Sequence, residues 1–262
     1  MSDFEQRVHH LDVSLFEKID SQSTCEDRRS LLAIQRAVRN ERGDFVYLEI
    51  GSHLGGSLQT HYVDPKCRFM YSIDKRPLVQ PDQRAIDFEY EGNSTERMLS
   101  NLRSTYPDVV EHLLMFDDDA KNIDREMIEH APDLCFIDGE HTNEAVVSDF
   151  RFCIDVASPN AVICFHDANL VFGGLTEIKA FLRRESVEFS SLKLGGTVYV
   201  ILLREASERF HSELSKFAID EAAFFATSRR SLGFVRMMNR CRGWFGGLLK
   251  QRREQERIEY QK

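Results

Sequence analysis

The chain has 262 residues, of which 42% are hydrophobic and 10% aromatic, and its net charge is -9 at pH 7. This composition excludes a disordered or fibrous chain, and the length allows one large α/β domain or a domain with an appendage. The longest apolar runs have the length of strands, and residues 1–5 lack the basic-then-apolar pattern of a secretory signal. We therefore expect a cytoplasmic protein with its six cysteines reduced.

The N-terminal segment, residues 1–44, is predicted to be helical. Apolar residues recur at helical spacing at Leu11 and Leu15, and again at Leu31 and Ile34. These helices are expected to cover a sheet or to shape the substrate entrance.

The middle of the chain alternates between apolar runs of strand length and polar stretches compatible with helices. This alternation predicts a parallel, doubly wound sheet. The five predicted strands are residues 45–50, 69–73, 112–116, 134–137 and 161–165.

The last two predicted strands, residues 189–194 and 197–203, are joined only by Gly195 and Gly196. Because this connection leaves no room for a crossover helix, the two strands are expected to form an antiparallel hairpin.

A glycine-rich turn after the first strand indicates a nucleotide-cofactor site. Gly51 stands where the apolar run stops and can let the backbone approach a ligand closely, and Asp74 closes the next strand, where it can accept hydrogen bonds from ribose hydroxyls. A dinucleotide dehydrogenase would have G-x-G-x-x-G here, but position 53 is His. Both residues also have an interpretation without a cofactor: Gly51 could form a simple turn between strand and helix, and Asp74 could cap a helix or lie in an exposed turn.

Two blocks, residues 133–144 and 162–169, resemble the metal-assisted O-methyltransferases of the catechol and macrolide-sugar types. Residues 45–204 as a whole resemble the class I S-adenosylmethionine-dependent methyltransferases. The resemblance implies a mainly parallel, doubly wound seven-stranded α/β sheet with an antiparallel C-terminal hairpin. We expect a helical cap at residues 1–44, the methyltransferase domain at 45–204 and a basic helical extension at 205–262.

The resemblance also implies which residues bind the cofactor. Glu49 would hold the methionine amino end, Ser57 its carboxylate, and Asp119 the adenine amino group, although the acids at 117–119 are also compatible with a loop that faces water. The full predicted set is Glu49, Gly51, Ser52, Ser57, Asp74, Asp119 and Asp138.

The predicted catalytic residues follow two strands. Asp138 and Asp167 come just after strand ends, the edge at which open α/β sheets bind ligands, and two carboxylates beside a bound substrate suit Mg²⁺. The resemblance assigns His141 as the general base that deprotonates the acceptor, and its reference pKa of about 6.5 suits that task. His166 and Asp167 replace the acidic pair of the macrolide-sugar enzymes. The third metal ligand could therefore be His166 or Asn169, or the site could work without metal.

Other polar residues have plainer interpretations. Glu144 and Asp149 are predicted to lie on the exposed face of the helix after the fourth strand. The remaining histidines are predicted to be surface or core residues: His9, His10, His61, His112, His130 and His211.

The resemblance implies an enzyme that methylates a hydroxyl, with S-adenosylmethionine as cofactor and Mg²⁺ as the metal. The expected acceptor, a sugar in a polysaccharide, glycolipid or glycosylated natural product, rests on the resemblance alone. The chain has neither a G-x-S-x-G elbow nor a G-x-x-x-x-G-K-[ST] loop, which argues against a hydrolase or a nucleoside triphosphatase. An iron-dependent hydroxylase on the same fold and a non-catalytic cofactor-binding scaffold remain as alternatives.

The C-terminal tail is a separate basic segment. Residues 226–262 carry ten Lys or Arg and three Glu, a net charge of +7, which leaves -16 for the rest of the chain. Cations interleaved with apolar residues, including Trp244, Phe245, Leu248 and Leu249, suit peripheral contact of residues 228–253 with the inner face of a membrane. Packing on the acidic domain or formation of a homo-oligomer explains the same pattern. Nucleic acid is not expected as a partner, since the acidic domain would repel it.

Overall fold

A seven-stranded mixed sheet forms the centre of the computed structural model, which describes the backbone of residues 2–110 and 112–259 and the side chains of residues 2–110 and 112–241. The strand order is β5-β2-β1-β6-β7-β9-β8. The first five strands in that order are parallel, whereas β9 is antiparallel to both β7 and β8. The predicted sheet, including its C-terminal hairpin, is confirmed. The strands are β1 Phe45–Ile50, β2 Cys67–Ile73, β3 Val79–Asp82, β4 Ile86–Glu89, β5 Leu113–Phe116, β6 Leu134–Ile137, β7 Val162–Phe165, β8 Phe189–Lys193 and β9 Tyr199–Leu203.

Eight α-helices occur in the described part of the chain. The longest is α8, which contains most of the predicted basic tail. The helices are α1 Asp3–His9, α2 Cys25–Arg42, α3 Gln59–Tyr62, α4 Thr95–Thr105, α5 Asn143–Val156, α6 Ala168–Arg184, α7 Glu205–Leu214 and α8 Glu221–Glu259. Among the described residues, none of these helices is long and apolar enough to cross a lipid bilayer.

The sheet lies between two helical layers, and each layer has its own hydrophobic core. One face packs against α5 and α6, and the opposite face packs against α2 and α7. Every residue of β1, β6, β7 and β9 is buried, as expected for strands covered on both sides. This arrangement directs the loops at the carboxyl ends of the parallel strands into a common cleft.

Helix α2 is fixed at its N-terminus by a reciprocal capping box. The Thr24 hydroxyl accepts a hydrogen bond from the Asp27 amide, and the Asp27 carboxylate accepts one from the Thr24 amide at 2.8 Å. The other oxygen of Asp27 accepts a hydrogen bond from the Thr197 amide at 2.6 Å. The beginning of α2 is therefore tied to the β8–β9 connection.

A second, two-stranded sheet was not predicted from the sequence. Strands β3 and β4 pair in an antiparallel hairpin in which Gln80 and Asp82 are buried, whereas Val79 and Ile86 are exposed. Because the inward-facing residues are polar, the usual apolar alternation of a strand is absent. The Gln83 amide in the turn donates to the carbonyl of His141 at 3.0 Å, which ties the hairpin to the loop between β6 and α5.

One local prediction was wrong. Asp149 is buried, with only 6% of its surface exposed, because it lies on the inner face of α5; Glu144 is exposed, as predicted. After the glycine-rich turn the chain forms the four-residue helix α3.

Candidate functional site

A cleft of about 1140 Å³, open to solvent, lies at the carboxyl ends of the parallel strands. Its lining comes from the turn after β1, the ends of β2, β6 and β7, the N-terminus of α2 and the β3–β4 hairpin. The predicted residues that line it are Gly51, Ser52, Ser57, Asp74, Asp138, His141, His166 and Asp167.

Gly51 is at a position where no side chain fits. Its φ angle is +92°, and an added Cβ would lie 2.1 Å from the carbonyl oxygen of Asp138. Its amide donates to the Ile73 carbonyl at 2.8 Å. The turn after β1 can therefore press against the loop after β6 only because residue 51 is glycine.

Asp74 organises the floor of the cleft through backbone hydrogen bonds. One carboxylate oxygen accepts from the His53 amide and the other from the Arg76 amide, each at 2.9 Å. Each oxygen keeps acceptor capacity for a further donor. This geometry is compatible with the predicted contact to ribose hydroxyls.

Glu49 does not reach the cleft surface. It is fully buried, and its two oxygens accept hydrogen bonds from Tyr47 at 2.6 Å and from Ser57 at 2.5 Å. Burial raises the pKa of Glu49 to about 8 despite these two bonds. Ser57 itself lines the cleft.

A second cavity of about 740 Å³ adjoins the first. Gly51, Asp74, Gln80 and Gly139 line both, so the two form one elongated site. Its far end is lined by Asp118, Asp119, Ala120, Ser148 and Asp149, together with neighbouring residues of α5.

Asp119 and Asp149 differ in their surroundings at this far end. Asp119 accepts hydrogen bonds from the backbone amide of Lys121 at 3.2 Å and from its ammonium group at 3.0 Å. Burial, followed by the charge of Asp119, raises the pKa of Asp149 to about 7. Asp117, the first of the three predicted acids, bonds instead to Arg76 and Thr95.

Asp138, His141 and Asp167 converge at the centre of the cleft. The ligand atoms of these three residues all lie within 4.8 Å of one another. His141 Nε2 is 3.1 Å from Asp167 Oδ2 and 3.8 Å from Asp138 Oδ1. Two carboxylates and one imidazole are a donor set that fits a divalent cation.

The surrounding carboxylates control the protonation of His141. Burial acts to lower its pKa, but its interactions with Asp138 and Asp82 and the charge of Asp167 raise it to about 10. In this charge environment the ring is an imidazolium and cannot accept a proton. A divalent cation at Asp138 and Asp167 would offset those negative charges and lower this pKa.

His166 is placed behind the three converging residues. Its Nδ1 lies 3.0 Å from Asp138 Oδ1, and its Nε2 lies 3.5 Å from Asp27 Oδ2 without a hydrogen bond. Burial acts to lower the pKa of His166, but the charge of Asp138 and the interactions with Asp138 and Asp167 together outweigh it and raise the pKa well above the ordinary value. This geometry suits a group that orients Asp138.

Asp27 and Asp82 are site residues that the sequence analysis missed. Asp82 Oδ2 lies 3.3 Å from His141 Nδ1, and its two oxygens accept from the Arg84 guanidinium at 2.7 and 2.8 Å. Both acids lie far from His141 and His166 along the chain. Asp82 belongs to the polar β3–β4 hairpin, and Asp27 belongs to the capping box of α2. The sequence predicts the capping box of Thr24 and Asp27, but it does not predict that Asp27 lies next to the cleft.

The wall of the cleft formed by the hairpin is aromatic and polar. Phe88, Tyr90 and Arg84 line it, and Ser21 and Gln22 lie on the side of α2. The Tyr90 ring makes an edge contact with His53 at 5.5 Å.

Comparison with known proteins shows a match to one domain family. Residues 48–168 match the profile of a family described as "Methyltransferase domain". This segment of the chain is similar to that family. The predicted recognition is confirmed, and the matched segment runs from β1 to the start of α6, so it includes Asp74, Asp138, His141 and Asp167.

Solved structures and one curated relative are similar to this chain. The calicheamicin methyltransferase CalS11 has a TM-score of 0.50 at 14% identity over 77% of this chain and 91% of its own, which shows a shared fold. The O-methyltransferase TomG from Streptomyces achromogenes, involved in tomaymycin synthesis, has a TM-score of 0.48 at 15% identity over 78% and 90%. An uncharacterized protein of Acanthamoeba polyphaga mimivirus is 23% identical over 131 residues, which is 48% of this chain. The chain spans about half the length of that relative, 53%.

Proposed function

We propose that the protein is an S-adenosylmethionine-dependent O-methyltransferase that methylates a hydroxyl of a sugar in a polysaccharide, glycolipid or glycosylated natural product. The observation that carries the proposal is the convergence of Asp138, His141 and Asp167 at the centre of one elongated cleft. On one side the cleft continues past Gly51 and Asp74 into the second cavity, where the nucleoside of the cofactor would lie. On the other side lies the aromatic and polar wall of the hairpin.

The cofactor is assigned to the Gly51 side of the cleft. Asp74 would accept hydrogen bonds from the ribose hydroxyls. Asp119 and Asp149 line the same cavity, and one of them would accept a hydrogen bond from the adenine amino group. Ser52 and Ser57 line the part of the cleft expected to hold the methionine end. Glu49 lies beneath Ser57, and a cationic amino group bound nearby would lower its raised pKa and so favour the ionised carboxylate.

Asp138 and Asp167 would hold Mg²⁺, with His141 as a third neighbour. The ion, when bound, would polarise the acceptor hydroxyl and lower its pKa. His141 would then take the hydroxyl proton on Nε2 as the acceptor oxygen attacks the sulfonium methyl group. Asp82 would keep Nδ1 protonated, so that Nε2 presents its lone pair to the cleft. The oxygen–methyl bond forms as the sulfur–methyl bond breaks, and the proton remains on His141.

A sugar acceptor is supported by the wall opposite the cofactor side. Aromatic faces such as those of Phe88 and Tyr90 suit the apolar face of a sugar ring, and the hydroxyl of Ser21 and the amide of Gln22 can bond to its hydroxyl groups.

Calorimetry on chelator-treated protein tests the cofactor half of this proposal. We expect micromolar binding of S-adenosylmethionine and S-adenosylhomocysteine, measured with and without added Mg²⁺. No binding of either ligand under both conditions would contradict the proposal.

The His141→Ala variant tests the base. We expect S-adenosylhomocysteine to bind nearly as in the wild type and methyl transfer to the best acceptor of a glycan panel to be lost. His10→Ala, which changes an exposed histidine outside the cleft, is the control. Normal turnover of His141→Ala would exclude His141 as the base.

An iron-dependent hydroxylase is a second candidate, because an imidazole next to two carboxylates also fits Fe(II). Metal identity separates the two functions. Methyl transfer that Mg²⁺ supports without Fe(II) excludes the hydroxylase, whereas oxidation of an acceptor with Fe(II) and O₂ would replace the methyltransferase proposal.

A further inference from the structure

Helix α8 has two different faces along residues 228–241. The inner face packs on the protein: Ser228 and Leu232 are buried, and Asn239 donates to the Arg84 carbonyl at 2.8 Å. The outer face consists of Phe234, Met237, Met238 and Cys241. Phe234 is 60% exposed, Met237 52% and Met238 45%, although large apolar side chains are usually buried.

The apolar spacing of the outer face continues in the sequence. Positions 234, 238, 241, 245 and 248 are Phe, Met, Cys, Phe and Leu, at alternating intervals of four and three residues. The backbone remains helical to Glu259, so this spacing keeps the positions on one side of α8. Side chains beyond residue 241 lie outside the described residues, and the predicted roles of Trp244, Phe245, Leu248 and Leu249 rest on sequence alone.

Charge determines which partner suits this face. Residues 228–253 contain eight Lys or Arg and no acidic residue. Two copies of α8 packed side by side would bring these like charges together, which opposes a homodimer through this face. An anionic lipid surface instead attracts the cations and accepts the apolar side chains in the same plane.

The inner face of α8 connects this surface to the acceptor side of the cleft. Arg236 donates hydrogen bonds to the backbone carbonyl and the side chain of Gln83, in the turn of the β3–β4 hairpin. The same hairpin supplies Arg84 and Phe88 to the cleft wall. A partner on α8 would therefore lie next to the element that shapes the acceptor side.

We propose that the outer face of α8 docks the protein reversibly onto an anionic lipid surface, next to which the acceptor is bound. The part of this inference that concerns the acceptor rests on the proposed function, whereas the docking itself does not. The lipid surface would provide negative headgroups for the arginines and an apolar layer for Phe234, Met237 and Met238.

Vesicle co-sedimentation of the full chain tests the docking. We expect binding to vesicles made of equal parts phosphatidylcholine and phosphatidylglycerol, and no binding to vesicles of phosphatidylcholine alone. Binding should weaken when NaCl is raised from 0.1 to 1 M, because the screening length falls from about 10 to about 3 Å.

Three double variants separate the contributions. F234S/M238S removes apolar area from the outer face, and R230Q/R240Q removes two exposed charges of α8. We expect each to weaken binding at least about tenfold. V110S/M127S is the matched control, because Val110 and Met127 are exposed apolar residues of the catalytic body, at 84% and 51%. We expect it to bind like the wild type.

Three results would overturn the docking proposal. The first is no binding to the anionic vesicles, and the second is an equal effect of all three variants. The third is a dimer in light scattering that F234S/M238S dissociates, without vesicle binding, since the outer face would then contact a second copy. Calorimetry with S-adenosylhomocysteine on the same preparations reports the proposed function separately, so failure of one proposal is distinguishable from failure of the other.

Discussion

Asp82 and His141 show how a side chain outside the predicted site can define the chemistry of one within it. Asp82 is almost completely buried and faces His141 Nδ1 at 3.3 Å. Burial acts to raise the pKa of Asp82, but its bonds to His141 and Arg84 lower it well below the ordinary value, so the group stays ionised. Once a bound cation lowers the pKa of His141, an ionised acceptor on Nδ1 would fix the tautomer of the neutral ring and leave Nε2 for the proposed proton transfer.

Replacement of Asp82 by Asn tests this positioning role. We expect Asp82→Asn to lower kcat about 10- to 100-fold with the KM for the methyl donor unchanged, because removal of such supporting contacts has effects of that size. In the His141→Ala background the same substitution should have no further effect on the residual rate. Steady-state methyl-transfer kinetics of the two single variants and the double variant measure this. An equal loss in both backgrounds would show that Asp82 acts through the fold instead of through His141.

Asp149 makes stability depend on pH in the direction opposite to that of a salt-bridged acid. Its folded pKa of about 7 exceeds its ordinary value of 3.8, so the folded state binds more protons between these values. The free energy of unfolding therefore falls as pH rises through this window and is constant above it. The loss is at most about 4 kcal/mol, since one pKa unit corresponds to about 1.4 kcal/mol.

The Asp149→Asn variant should not show this loss. We expect its stability relative to the wild type to rise between pH 5 and pH 8, as measured by urea unfolding of the ligand-free protein. Glu144→Gln, which changes an exposed acid of the same helix, is the control and should follow the wild type. An identical pH dependence of Asp149→Asn and the wild type would show that Asp149 is already ionised at pH 5.

Among the structural elements, the turn after β1 depends most directly on a single glycine. Gly51→Ala would place a methyl group 2.1 Å from the Asp138 carbonyl, in a backbone conformation that disfavours side chains. We expect this variant to lose S-adenosylhomocysteine binding in calorimetry and to melt at a lower temperature. Gly233→Ala is the matched control: no atom lies within 4 Å of the added Cβ, and alanine in a helix is favoured by about 0.5–1 kcal/mol. Binding by Gly51→Ala at wild-type affinity would mean that the two loops need not touch.

Elements were predicted well where burial determines the sequence. Strands such as β1 and β7 are covered on both faces, so their apolar runs identify them, and Gly195 with Gly196 identified the C-terminal hairpin. The β3–β4 hairpin was missed because its inward positions, Gln80 and Asp82, are polar. These polar residues face the candidate site, and an analysis of apolar periodicity does not detect strands of this kind.

The candidate site was predictable in part for the same reason. Asp74, Asp138 and Asp167 follow strands directly, so the position of the strand end predicts their place at the cleft. Glu49 also belongs to a strand end, but its side chain points into the protein, where Tyr47 and Ser57 bind it. Asp27 reaches the cleft only because α2 packs across the sheet, a tertiary relation that no local pattern encodes.

At the scale of the whole molecule, the N-terminal segment and the sheet share one core. Ala33, Ile34, Ala37 and Val38 of α2 pack in the same hydrophobic cluster as residues of β1 and β9. Asp27 also accepts hydrogen bonds from the amide and hydroxyl of Thr197, which lies 170 residues further along the chain. The predicted helical cap at 1–44 is therefore expected to unfold together with the sheet.

Hydrogen exchange measured by mass spectrometry can test this cooperativity. We expect amides in the middle of α2 to exchange as slowly as those of β1, because both need the common core to open. The β3–β4 hairpin, with exposed positions on both strands, should exchange faster and serves as the internal reference. Exchange of α2 well before β1 would show that the N-terminal segment opens on its own.

The β3–β4 hairpin is attached at its turn to the His141 loop on one side and to α8 on the other, while its strands pair only with each other in the described chain. None of the seven strands of the main sheet depends on it for hydrogen bonds. If both proposals hold, sequence changes in the hairpin and α8 would alter the acceptor side of the cleft and the docking surface together, while the hydrogen bonds of the main sheet stay in place.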